Sequence, residues 1–114
     1  MDVEYAGVTW LSIPEVADQL GLTVTKVHQL RRERQLIALR TEEGMRVPAD
    51  FLDDTGVVKH LPGVLTLLAD GGFGDEDSVR WLYTPDDSLP GTPIAALRAN
   101  RGTEVKRRAQ ASAL

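Results

Sequence analysis

Thr25, His28, Gln29 and Arg32 stand at spacings i, i+3, i+4 and i+7, so on a helix they share one face. These side chains can bond base edges: Arg to guanine O6 and N7, Gln to adenine, Thr and His more permissively. Lys26, Arg31 and Arg34 flank that face and suit phosphates. Arg40 and Arg46, expected to face each other across a hairpin, suit backbone or minor groove. Catalytic chemistry finds no such grouping. Without cysteine there is no thiol nucleophile, thiolate zinc site or disulfide framework. His28 and His60 are far apart in the chain, and no Ser-His-Asp set can be identified. The acid groups Asp53-Asp54, Asp75-Glu76-Asp77 and Asp86-Asp87 fall at expected helix ends, where carboxylates cap amides and complement the dipole. A calcium loop starting at Asp70 fails, because its sixth position is Asp75 rather than Gly and its twelfth is Trp81 rather than Glu. Gly71-Gly72-Phe73-Gly74 lacks the Gly-Lys-Ser/Thr of a phosphate loop. No enzyme, cofactor or metal site is expected.

The base-reading face needs an element to hold it and a favourable charge. The chain has 114 residues, 42% apolar, 26% charged and 5% aromatic, enough for one compact domain or two very small ones. Its formal charge of −4 points away from nucleic acid until it is divided by segment. Residues 1–23 carry four acids and no base, whereas 24–46 carry six bases and three acids, a local +3. Residues 47–61 sum to −2 and 62–114 to −1. The positive charge therefore sits on the expected groove-facing helix and hairpin.

Local grammar supplies those elements. In Leu11-Ser12-Ile13-Pro14-Glu15-Val16, Ser12 and Glu15 form a capping box, with Leu11 and Val16 as its hydrophobic staple. Ile13, Val16, Ala17 and Leu20 then give a helical stripe that Gly21 stops. Thr23 caps a second helix running toward Arg34, with Val24, Val27 and Leu30 as its apolar side. Two short helices joined through a Gly turn outline a helix-turn-helix. Leu36 to Thr41, a Glu42-Glu43-Gly44 turn and Met45-Arg46-Val47 predict a β-hairpin wing, and Pro48 to Leu52 a helix start that packs Phe51 and Leu52. Further helices are expected over Gly63–Asp70, Asp75–Tyr83 and Pro93–Asn100.

The fold class is thus mainly α with a small β-hairpin wing, a winged helix-turn-helix followed by a small helical C-terminal domain. The expected organisation is a flexible segment over 1–9, the DNA-binding domain over 10–56, a connector over 57–62, helices over 63–102 and a basic frayed helix or tail over 103–114. The acidic start lacks a secretory apolar stretch, and the run from Val64 to Ala69 falls well short of the roughly twenty residues a membrane helix needs. A cytoplasmic, nucleoid-associated location without membrane contact is expected.

Leu11 to Gly21 through Arg46 to Leu52 resemble the winged helix-turn-helix of the excisionase and MerR-type superfamily. The whole chain is similar to a small family of actinobacterial DNA-binding proteins that join such a domain to a short helical one. The resemblance implies transcription-factor-like binding of double-stranded DNA, with Thr25, Lys26, His28, Gln29, Arg31 and Arg32 in recognition-helix positions and Arg40 and Arg46 in the wing. No long dimerisation helix or Cys-based effector site is present, so metal or drug sensing is not carried over. The stretch from Trp81 to Leu97 is similar to small helical domains of bacterial antitoxins and partition-type regulators, where it implies protein contacts, including self-association.

The expected function is a DNA-binding transcriptional regulator. Thr9, in an acidic segment before the first capped helix, is a candidate substrate for a Ser/Thr kinase, whose phosphate would repel DNA. The alternative is a protein-interaction module, antitoxin-like or adaptor, acting through the C-terminal helices with Trp81 and Leu82 at the contact.

Overall fold

The computed structural model describes residues 8–89 and 91–113, so most of the expected flexible segment lies outside the described residues. Thr9 lies inside them. Its side chain is exposed, while its carbonyl accepts the Ala49 amide at 2.8 Å. The chain then enters β1 (Trp10–Ser12), a strand where local pattern predicts only an approach to the cap. Three residues are too few to show alternation. Their partner is remote, since β1 pairs antiparallel with β3 (Gly44–Pro48), which also pairs with β2 (Leu39–Thr41) in the order β1-β3-β2.

The capping box starts α1 (Ile13–Leu20), the Glu15 amide donating to Ser12 Oγ at 3.2 Å and the Ser12 amide to Glu15 Oε1 at 2.8 Å. Gly21, at φ 68°, closes the helix in the left-handed region. Thr23 caps α2 (Val24–Arg32), accepting the Lys26 amide at 3.1 Å. This helix ends before Arg34, contrary to the expected span. The Arg34 amide bonds the Arg31 carbonyl and the Gln35 amide the Leu30 carbonyl, a Schellman closure with Arg34 at φ 59°. The left-handed residue is an arginine, so the usual glycine stop signal is missing. The apolar stripe is also narrower than expected. Val27 is fully buried and Leu30 partly so, but Val24 is exposed.

A 3-10 turn (Ala49–Phe51) replaces the expected helix start and leads into β4 (Leu52–Asp53), which pairs with β5 (Gly56–Val57). Gly56, at φ 124°, permits this tight return. Where composition predicts a connector, Val58 and Leu61 are instead buried in the core.

Four helices follow: α3 (Leu61–Asp70), α4 (Asp75–Leu82), α5 (Pro93–Arg98) and α6 (Gly102–Ser112). The last corrects the expectation of a frayed helix or tail. Gly102, Val105 and Ala109 are buried, the main packing partner is α3, and Trp81 Nε1 donates to Ser112 Oγ at 3.0 Å. Small residues let the helix approach closely: a Cβ on Gly102 would sit 2.3 Å from the His60 ring.

One apolar cluster joins both halves, with Val16, Val27, Val47 and Phe51 from the first and Leu61, Leu68, Leu82 and Val105 from the second. At the seam, Phe51 and Tyr83 stack with centroids 6.5 Å apart. The Tyr83 hydroxyl donates to Asp50 Oδ2 at 3.0 Å. Arg98 donates to the carbonyls of Asp50 and Leu52 at 2.9 and 2.6 Å. None of the helices among the described residues is long and apolar enough to cross a membrane.

Candidate nucleic-acid interface

Helix α2 is anchored through Val27 and turns its polar residues outward, so its basic face is a consequence of packing as well as composition. Thr25, Lys26 and Arg32 are exposed, and Gln29, His28 and Arg31 partly so. Along the helix Lys26 Nζ donates to Gln29 Oε1 at 3.4 Å, and Gln29 Nε2 donates to Glu33 Oε2 at 3.0 Å. This chain orients the Gln29 amide lengthwise on the face. His28 Nδ1 lies 2.8 Å from Arg31 Nη1. A guanidinium has no acceptor, so Nδ1 accepts in this contact and Nε2 is left as the ring's donor, suited to a purine or phosphate acceptor.

The structure brings Thr25, Lys26, His28, Gln29, Arg31 and Arg32 together on one helix and separates Arg34, which lies past its end. The hairpin arginines also part company. Arg40 is opposite Met45 and Arg46 opposite Leu39, so the two are out of register and alternate to opposite faces, correcting the expectation that they face each other. Arg40 is exposed and in no ion pair among the described residues. Arg46 lies 3.7 Å from Glu15 and 3.5 Å from Glu43. It ties the wing to the capping box. The two Ser12 hydrogen bonds, backbone first, and then Arg46 hold the Glu15 carboxyl below its usual range.

A cleft of about 230 Å³ runs beside α2, with His28, Arg31 and Arg32 on one side and buried Leu36 to Ala38 at its base. Asp75, the first residue of α4, lines it from the second half. Sequence reasoning placed Asp75 at a helix end and missed this proximity, which no local pattern encodes.

Several of the other acids hold turns or ion pairs within the second half and the β4–β5 return. Asp53 accepts from Thr55 and Asp86 from Ser88 in short turns, and the hydroxyl bonds lead in lowering both carboxyl pKa values. Asp77 and Glu76 hold Arg80. No cluster of metal-ligating side chains occurs among the described residues. Leu82, expected at a protein contact, is fully buried, and only Trp81 of that pair reaches the surface.

Comparison with known proteins fits this geometry. Residues 1–52 match a family described as the winged helix-turn-helix domain of DNA-binding protein Rv2175c, and residues 58–113 match the Rv2175c C-terminal domain of unknown function. DNA-binding protein Rv2175c of Mycobacterium tuberculosis is 46% identical, over 89% of this chain and 78% of its own length. The chain belongs to the Rv2175c family. The NMR structure of Rv2175c superposes with a TM-score of 0.89 at 41% identity, covering 100% of this chain and 87% of that one. The Rv2175c family is one of DNA-binding proteins rather than enzymes, and this member carries the same winged helix-turn-helix followed by a helical domain.

Proposed function

We propose that this Rv2175c-family chain is a DNA-binding regulator that lays α2 in the major groove and brings the wing against the backbone. The observation that carries the reading is the exposed set Thr25, Lys26 and Arg32 on a helix anchored by Val27, with Arg40 exposed on the neighbouring hairpin. In this mode Gln29, Arg32, Thr25 and the His28 donor meet base edges. Lys26, Arg31 and Arg34 meet phosphates, Arg40 grips the backbone or minor groove, and Arg46 braces the wing while adding positive field. Residues 10–56 form the reading unit and the C-terminal helices support it or meet a protein partner. Thr9, exposed beside the wing-strand end at Ala49, is the site at which a kinase would tune binding by adding negative charge.

The test is a salt titration of duplex binding. Each removed phosphate contact should lower the slope of log K against log salt by about 1. Arg40→Ala should therefore flatten the dependence, Arg32→Ala should weaken binding and relax sequence preference, and Thr9→Glu should weaken binding at low salt. Binding indifferent to Arg32→Ala and Arg40→Ala would defeat the groove-reading mode.

A further inference from the structure

Helix α6 and the residues just before it hold the densest positive charge in the chain. Residues 98–108 include Arg98, Arg101, Lys106, Arg107 and Arg108 against Glu104 alone, a net +4. Intramolecular partners use only part of it. Arg98 is committed to the Asp50 and Leu52 carbonyls, Arg101 pairs with Glu104 at 3.1 Å, and Arg108 lies close enough to Asp86 to favour its charged form. Lys106 has no ion pair among the described residues, and neither does exposed Lys59.

These two lysines come from distant segments and meet around one histidine. Lys106 reaches across to α3, its Cε 3.0 Å and its Nζ 3.4 Å from the position a Gly63 Cβ would take. His60 precedes α3 and packs its ring on Gly102, one turn of α6 from Lys106. Burial first, then the charges of Lys106 and Lys59, lower the His60 pKa below its usual value. Lys59, the chain neighbour of His60, and Lys106, one turn of α6 from the Gly102 on which the His60 ring packs, are thus two cations near one ring, and neither is paired with a carboxylate among the described residues. A phosphate would supply the missing countercharge.

We infer that Lys59 and Lys106, flanking His60, form a second phosphate-binding surface on the C-terminal half, which grips duplex DNA beyond the segment read by α2. The inference rests on the DNA-binding reading and extends it to the helical domain. Size permits a single duplex to serve both surfaces: the molecule measures 36 × 31 × 26 Å, and a turn of duplex advances about 34–36 Å. Lys59 and Lys106 carry no role in the groove-reading mode, so their removal tests this surface separately.

The experiment measures binding of the full chain and of Lys59→Gln/Lys106→Gln to duplexes of about 12 and about 24 base pairs, roughly one and two helical turns, across a salt series. Loss of two phosphate contacts should lower the salt slope on the longer duplex by about 2 and its affinity at low salt by at least about tenfold. The short duplex should bind both proteins alike. Equal binding of both proteins to the longer duplex overturns the inference, as does an equal loss at both lengths, which reports only general charge. A second readout follows the His60 ring by NMR during pH titration. The longer duplex should raise its pKa by bringing phosphate beside the lysines, and an unmoved titration would also overturn the inference. Failure of the groove-reading mode is distinguishable, because it shows as indifference to Arg32→Ala on either duplex. Unchanged thermal melting verifies that the variant is folded.

Discussion

Helices α2 and α6 are near equals in charge but opposites in mounting. The first carries Lys26, Arg31 and Arg32 and buries Val27 alone, leaving its opening turn exposed. The second carries Lys106, Arg107 and Arg108 and lays Gly102, Val105 and Ala109 along the core, chiefly against α3. Basic composition therefore does not distinguish a groove-entering helix from a packed one. The distinction lies in how much of the helix another element covers. A projecting helix can enter a groove about 12 Å wide, whereas one packed along its length can offer only its outer edge to a phosphate.

The largest expected effect would break this contrast at its apolar base. Val105→Asp places an unpaired charge in a fully buried position, and should cost about 3–5 kcal/mol in denaturant unfolding. The matched change Val24→Asp falls on an exposed position and should alter stability by less than about 0.5 kcal/mol. Comparable losses at both positions would show that α2 is packed as deeply as α6.

A smaller effect is expected where the two halves join. Arg98→Met removes donors from the Asp50 and Leu52 carbonyls, and should cost about 1–2 kcal/mol in denaturant unfolding. Amide shifts in that variant should centre on Asp50 to Leu52 and the Tyr83 ring rather than on α2. Displacement of the whole α2 spectrum would mean that the seam also determines how the reading helix is presented.

The smallest effect concerns pH. His60 has a folded pKa below the ordinary histidine value of 6.5, so as pH falls past 6.5 the unfolded chain takes up this proton first. His60 stabilisation is complete above that value and is lost toward the lower folded pKa. Melting temperature should thus fall from pH 7 to about 5.5 in the native chain and fall less in His60→Asn, since Asn tolerates the φ of 71° found there. Glu15, Asp53 and Asp86 have lowered pKa values, so their losses come below the usual carboxylate range and do not enter this window. Identical pH dependence in the two proteins would remove His60 as its source.

The reading helix and its lead-in were legible because their signals are local. Ser12 and Glu15 are three residues apart, Gly21 stops one helix and Thr23 starts the next, and the groove-facing set repeats at helical spacing. Features that depend on distant partners were not. Strand β1 exists through pairing with Val47 and its neighbours, and α6 is held by small residues that carry no strong apolar period. Arg34 closes α2 without a glycine to mark the stop, and Asp75 reaches the α2 cleft only through the fold.

By itself, then, the sequence determined that two short capped helices would form, that the second would be polar and basic, and that a hairpin would follow. These outcomes depend on hydrogen bonds and side-chain spacing within a few residues. Tertiary structure alone decided that Val27 would be the buried anchor of α2, that Arg40 and Arg46 would lie on opposite faces, and that α6 would bring Gly102 against His60 and Lys106 over Gly63. Those outcomes require surfaces far apart in the chain to exclude water together, and local spacing does not specify which surfaces meet.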